Sequence, residues 1–272
     1  MRAIGIITPN GLEEIALDNT TPKLIFGLKK NAGKLSKPER KAIGHALKKT
    51  GFDVYATQEN WPNDAYVERN GLYIPNRYFE GLGKGGNYVF GDGFVLASES
   101  IREEIEKKLR DDERFRRFFS DAEILYAPNR PFNFGDNVFD LSHIDLTVGY
   151  VPSGNALFVE VDYYAQNETL FRGIRERHGV NVNAVKCLDG LFPNNFLVIQ
   201  YNGKSIVIAN QNNPLCSTNT GAEVIGTDRF IEEIPFRYGG SVKCATNYSP
   251  TTKLWDALGI EYRRWGIRQE AE

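Results

Sequence analysis

The chain has 272 residues, of which 41% are hydrophobic and 25% charged, with 33 Lys and Arg against 35 Asp and Glu. That composition suits a globular protein able to bury a sizeable core. A formal net charge of −2 gives no electrostatic case for nucleic acid or an anionic membrane as a partner, and no segment approaches the roughly 20 apolar residues of a membrane-spanning helix.

In chain order, Met1 to Pro9 reads as a short buried strand and a turn, without the basic stretch and long apolar run of a secretory leader. Ser36-Lys37-Pro38-Glu39 is a capping box that opens a helix burying Ala42, Ile43, Ala46 and Leu47, and Gly51 stops it. His45 falls on the polar side of this helix. An apolar strand follows from Phe52 to Tyr55. Asn70-Gly71 joins Ala65 to Val67 with Leu72 to Ile74, a type I′ hairpin signal. The glycine-rich run Gly81 to Gly86 lacks the Ser or Thr of a phosphate loop and precedes a hairpin rather than a helix. That hairpin pairs Tyr88 to Phe90 with Phe94 to Ala97 through Asp92-Gly93.

Ser100-Ile101-Arg102-Glu103 opens a second helix with Ile101, Ile105 and Leu109 on one face, and a strand follows from Ala122 to Tyr126. A third hairpin joins Leu146 to Val151 with Ala156 to Val161 through Ser153-Gly154. A helix from Glu168 to His178 then buries Leu170, Phe171 and Ile174 before Gly179, and His178 complements the dipole in its last turn. A strand follows from Val180 to Val185. The fourth hairpin joins Phe196 to Gln200 with Ser205 to Ala209 through Asn202-Gly203. The hairpins beginning near Gly86, His143 and Asn195 recur at about 50 residues, a period that suggests units arranged around an axis. No linker divides the chain, so a single α/β domain is expected over residues 1–272.

Candidate chemistry is sparse. Only Cys187, Cys216 and Cys244 could supply a thiol, and none has metal-ligand spacing to another, so no metal is expected. Three cysteines cannot all pair, which favours a reducing, cytoplasmic setting and a reactive thiol. Cys244 follows Gly239-Gly240 on what alternation reads as a strand. His143 and Asp145 share one face of a second expected strand, so an imidazole and a carboxylate can address one pocket. Asp64, in Trp61-Pro62-Asn63-Asp64, sits just before a strand.

These segments, in this order, resemble the pentein superfamily of arginine and agmatine deiminases, dimethylarginine hydrolases and amidinotransferases. Its aromatic-x-Arg-Asp segment is similar to Trp61-Pro62-Asn63-Asp64. Its Glu-Gly-Gly-Asp/Asn segment is similar to Lys84-Gly85-Gly86-Asn87. Its His-x-Asp is similar to His143-Ile144-Asp145, and its Gly-Gly-x-x-x-Cys-x-Thr to Gly239 through Thr246.

The resemblance implies a five-fold pseudosymmetric propeller of ββαβ units with its active site on the axis. It also implies a hydrolase acting on the guanidino group of arginine or an arginine-like small molecule, without a cofactor. Cys244 is then the nucleophile and His143 the proton carrier, and Asp64, Asp145, Asn63 and Asn87 bind the substrate. A homodimer fits the same scheme. Amidino transfer to an amine acceptor, or a non-catalytic binding protein on this fold, are the alternatives. A papain-like hydrolase lacks its local signature.

Two residues depart from the pattern. Asn63 replaces the arginine, and Lys84 replaces the glutamate that supports the histidine. Glu80 could substitute only through a rearranged loop. An ammonium repels a guanidinium by about 1 kcal/mol or more at 4 Å, so Lys84 is expected to turn away, or the substrate to differ from arginine.

Overall fold

Asparagine–glycine pairs set two of the hairpins. Asn70 and Gly71 have φ of 54° and 73°, and Asn202 and Gly203 have 50° and 74°, the two left-handed residues that a type I′ turn demands. The computed structural model of the chain describes residues 3–17, 21–27, 29–30, 33–34, 36–59, 61–134, 137–141, 143–186, 194–210, 221–227 and 242–266. These two turns join Tyr66–Arg69 to Leu72–Pro75 and Leu197–Tyr201 to Lys204–Asn210. The other two hairpins differ from expectation. Only Gly93 of Asp92-Gly93 takes a positive φ, and in the Pro152–Gly154 turn the left-handed residue is Asn155 rather than Gly154. Proline fixes the entry to that 3₁₀ turn, and asparagine tolerates the αL exit.

The helices begin and end on local chemistry. Lys37–Lys48 starts after Ser36, whose carbonyl accepts the Arg40 N–H at 3.0 Å, and ends before Gly51 at φ 77°. Ile43, Ala46 and Leu47 are buried and His45 is exposed. The second helix is capped by Ser98, not by Ser100. The Ser98 hydroxyl accepts the Ser100 N–H at 3.3 Å, so a 3₁₀ turn over Glu99–Ile101 precedes the helix Arg102–Asp111. A further helix, Glu113–Phe118, is capped by Asp112. Glu168–His178 ends at Gly179 (φ 63°) with Phe171 and Ile174 fully buried. His178 Nε2 lies 2.8 Å from a Glu123 carboxylate oxygen, a hydrogen-bond distance.

Five small mixed sheets follow one plan: an antiparallel hairpin, then a parallel strand beside its second arm. Tyr88–Phe90, Phe94–Ser98 and Glu123–Ala127 form one. Val148–Val151, Ala156–Glu160 and Asn181–Val185 form the next, and Leu197–Tyr201, Lys204–Asn210 and Glu223–Thr227 another. In the remaining two the chain order is broken. Tyr66–Arg69 and Leu72–Pro75 take Ala3–Thr8 as their parallel strand. Thr246–Ser249, near the C-terminus, pairs antiparallel with Lys23–Gly27, which runs parallel to Asp53–Thr57. That last pairing stitches the two ends of the chain into one blade and closes the ring.

In each of the five sheets the strand of the antiparallel pair away from the parallel strand lies innermost. Tyr66, Tyr88, Tyr150 and Tyr248 from these strands, with Phe196 just before its strand, line one axial cavity of about 220 Å³. Apolar side chains between blades and helices form the core, with Trp255, Phe115, Phe118 and Phe171 among the fully buried residues. The architecture is thus the mixed α/β five-bladed propeller expected. Among the described residues no helix is long and apolar enough to cross a membrane.

Candidate active site

A short polar turn precedes each innermost strand. Pro62–Asp64, Gly85–Asn87 and Ile144–Leu146 are single 3₁₀ turns, Asn194-Asn195 leads into the fourth hairpin, and Val242–Ala245 is one helical turn. Because the inner strands surround one axis, these turns meet at one end of it. Neighbouring turns touch in sequence around the ring.

Two expectations change here. His143 to Asp145 is no strand: His143 caps a 3₁₀ turn, so strand alternation does not govern these side chains. The His143 side chain is 26% exposed, while that of Asp145 is only 1% exposed. Cys244 likewise lies in the helical turn before its strand rather than on the strand, with 5% exposure. Gly239 and Gly240, together with Cys187 and Cys216, lie outside the described residues.

Asp145 organises the inner half of the site. Its Oδ2 accepts from Asn63 Nδ2 at 3.2 Å and lies 3.2 Å from the Lys243 ammonium. Its Oδ1 is buried and has no donor among the described residues. Asn195 ties the backbones of the two turns together: its Nδ2 donates to the Asp145 carbonyl at 3.3 Å, and its Oδ1 accepts the Cys244 N–H at 3.2 Å. The Asn195 carbonyl takes the Lys243 N–H as well, at 3.4 Å.

Asp64 organises the outer half. Its Oδ1 accepts the Gly86 N–H at 3.3 Å, and its Oδ2 lies 3.9 Å from His143 Nε2, an ion-pair distance. Burial raises the pKa of Asp64, as does the nearby Asp145 carboxylate, while His143, the Gly86 N–H and Lys84 pull it down; the upward effect wins. Lys84 is half-buried at the start of the Gly85–Asn87 turn, and its positive charge is among the influences that lower the Asp64 pKa. Glu80 is exposed, and the carboxylate that faces His143 is Asp64.

The glycine pair in this turn is required by space. A β-carbon at position 86 would lie 2.5 Å from His143 Nδ1, and one at position 85 would lie 2.4 Å from the Asn63 carbonyl oxygen. Absence of side chains lets the imidazole pack on bare backbone. Asn87, by contrast, is turned into its own loop, donating to the Gly81 carbonyl at 2.8 Å.

The structure thus gathers Cys244, His143, Asp64, Asp145 and Asn63 on one ring. It adds Lys243 and Asn195, which the motifs did not reveal. A signal for Asn195 was present: it stands just before the fourth hairpin, where the other units place Asn63-Asp64, Gly86-Asn87 and His143-Ile144-Asp145. Beside Asp64 opens a second pocket, about 370 Å³, lined by Glu59, Trp61, Arg77 and the Leu258–Ile260 loop among others.

Five small mixed sheets arranged about one axis make the α/β propeller of the pentein fold. Solved structures of that fold superpose on this chain. A dimethylarginine hydrolase from Pseudomonas aeruginosa, a cysteine-to-serine mutant complexed with citrulline, is 12% identical with a TM-score of 0.53, over 85% of this chain and all of that one. The inosamine-phosphate amidinotransferase of Streptomyces griseus is 10% identical with a TM-score of 0.51, over 92% of this chain and 95% of that one. A protein described as a putative agmatine deiminase is 16% identical with a TM-score of 0.50, over 86% and 94%. No family model and no curated protein sequence matches the chain.

Proposed function

We propose that the protein is a guanidino-group hydrolase in which Cys244 attacks the guanidinium carbon. One observation carries the reading: among the described residues, the buried Oδ1 of Asp145 has no donor, and it lies on the same ring of turns that holds Cys244 and His143. An unmet buried acceptor costs about 1–3 kcal/mol, and a guanidinium N–H would meet it with a charge-assisted bond. Asp64, at the ring's outer half, supplies a second carboxylate, so the two orient the carbon toward the thiol.

Attack by the Cys244 thiolate gives a tetrahedral adduct. His143 protonates the departing ammonia or amine, leaving an amidino-thioether on Cys244. It then takes a proton from water, which attacks the same carbon and releases a ureido product. Asn195 keeps the nucleophile's turn in register through the Cys244 N–H. If an amine took the place of water, the same steps would transfer the amidino group. The His143-Ile144-Asp145 segment has the deiminase form, and hydrolysis is therefore the reading put forward.

The test is to incubate the protein with arginine, agmatine, methylated arginines and short guanidino acids and to measure ureido product and ammonia. Turnover of at least one compound that is abolished in Cys244→Ala is expected. Wild type and Cys244→Ala giving the same blank result on every compound would overturn the enzyme reading.

A further inference from the structure

The guanidinium site proposed above carries its own cations. Asp145 is the most deeply buried carboxylate on the ring, and the Lys243 ammonium stands 3.2 Å from its Oδ2 with only 22% of the lysine side chain exposed. This lysine immediately precedes Cys244, and its backbone N–H is held by the Asn195 carbonyl at 3.4 Å. Its ammonium is therefore delivered by the same turn that delivers the nucleophile. Lys84, half-buried, opens the turn whose Gly86 N–H binds Asp64. Among the described residues, the Asp145 carboxylate is thus matched by the Lys243 ammonium, and a second lysine opens a neighbouring turn.

Among the described residues, the half of the ring built on Asp145 and Lys243 therefore carries a carboxylate and an ammonium that offset each other. A guanidinium entering it meets hydrogen-bond acceptors but no net attraction, and charge complementarity is what sets partner choice at such a site. A substrate that brings its own negative charge, placed near the guanidino carbon, would have that charge answered by the lysines while its guanidinium N–H groups reach Asp145 Oδ1 and Asp64. We infer that Lys243 and Lys84 are specificity-determining residues, selecting a short guanidino acid, zwitterionic near the reacting carbon, over a guanidino compound of net positive charge. The inference rests on the guanidino-group reading of the site. Discrimination of this kind works by penalising the wrong ligand as much as by rewarding the right one.

The test measures binding to the full-length Cys244→Ser protein by calorimetry, with 3-guanidinopropionate and agmatine as probes. Tighter binding of the acid, by tenfold or more, is expected at low salt. Lys84→Met and, separately, Lys243→Met should each shrink that ratio several-fold, chiefly by strengthening agmatine, and Lys243→Arg should keep it. Lys243→Met also leaves a buried carboxylate without its counter-ion and can fail to fold; Lys84→Met, on a half-buried side chain, then decides alone. Agmatine binding as tightly as the acid, or a ratio untouched by the folded methionine variants, overturns the inference and leaves the guanidino reading standing. Neither probe binding, in this protein or its variants, also overturns the inference, and the turnover screen described above then decides the guanidino reading by itself.

Discussion

Gly86→Ala isolates the contact that places the His143 imidazole, the proposed proton carrier. The backbone tolerates the change, because Gly86 has no left-handed φ. The new β-carbon, however, would lie 2.5 Å from His143 Nδ1 and 2.6 Å from its Cγ. Ordinary contact distance is about 3.5 Å or more, so the ring must retreat by about 1 Å. A misplacement of that size in a reacting group costs on the order of 100-fold in rate. The His143 side chain is 26% exposed and can swing outward, so the fold should hold, with a Tm within about 4 °C of wild type. Steady-state ammonia release, on whichever guanidino compound wild type turns over, should show kcat down by about 100-fold with KM nearly unchanged. A folded Gly86→Ala with wild-type kcat would refute the claim that bare backbone at this position sets the imidazole.

Asn195→Ala removes the acceptor of the Cys244 N–H and a donor to the Asp145 carbonyl, so urea denaturation should show a loss of about 2–4 kcal/mol; an unchanged midpoint would mean that the turn is held by other contacts. Asp64→Asn should abolish turnover yet raise thermal stability at neutral pH. The raised pKa of Asp64 means that the folded state binds the extra proton, so its ionisation lowers stability as pH climbs from the ordinary carboxylate value toward the folded one. The gain should therefore be full above that window and fade below the ordinary value, and a gain independent of pH would contradict this origin. Trp255 is fully buried and donates its indole N–H to the Tyr66 hydroxyl at 3.1 Å; Trp255→Ala should cost about 3–5 kcal/mol, read in the same denaturation assay.

Much of the fold was legible because turn chemistry is local. Asn70-Gly71 and Asn202-Gly203 can hardly be anything but hairpin turns, and Gly51 and Gly179 end helices where they should. The cap at Ser98 was missed in favour of Ser100 because the two hydroxyls compete within 2.7 Å of each other, and sequence cannot say which one the chain enters by. The pairing of Thr246–Ser249 with Lys23–Gly27 lay beyond reach, since it joins opposite ends of the chain. In the site, Cys244, His143, Asp64 and Asp145 could be picked out by motif, but their conformations could not. A 3₁₀ turn and a helical turn stand where alternation suggested strands, because four-residue windows carry too little periodicity to tell them apart. Lys243 was invisible for a different reason: an exposed-type residue beside Cys244 becomes informative only once Asp145 is seen 3.2 Å away.

The central claim is that Cys244 forms a covalent bond to the carbon of a guanidino group. Acid quenching within milliseconds of mixing with a turned-over guanidino compound, followed by peptide mapping by mass spectrometry, tests it directly. The account predicts the amidino fragment on the peptide containing Cys244, gaining in amount in His143→Ala provided that variant still acylates, and absent from Cys244→Ala. Turnover with the adduct on Cys187 or Cys216, or turnover that persists in Cys244→Ala, would contradict it.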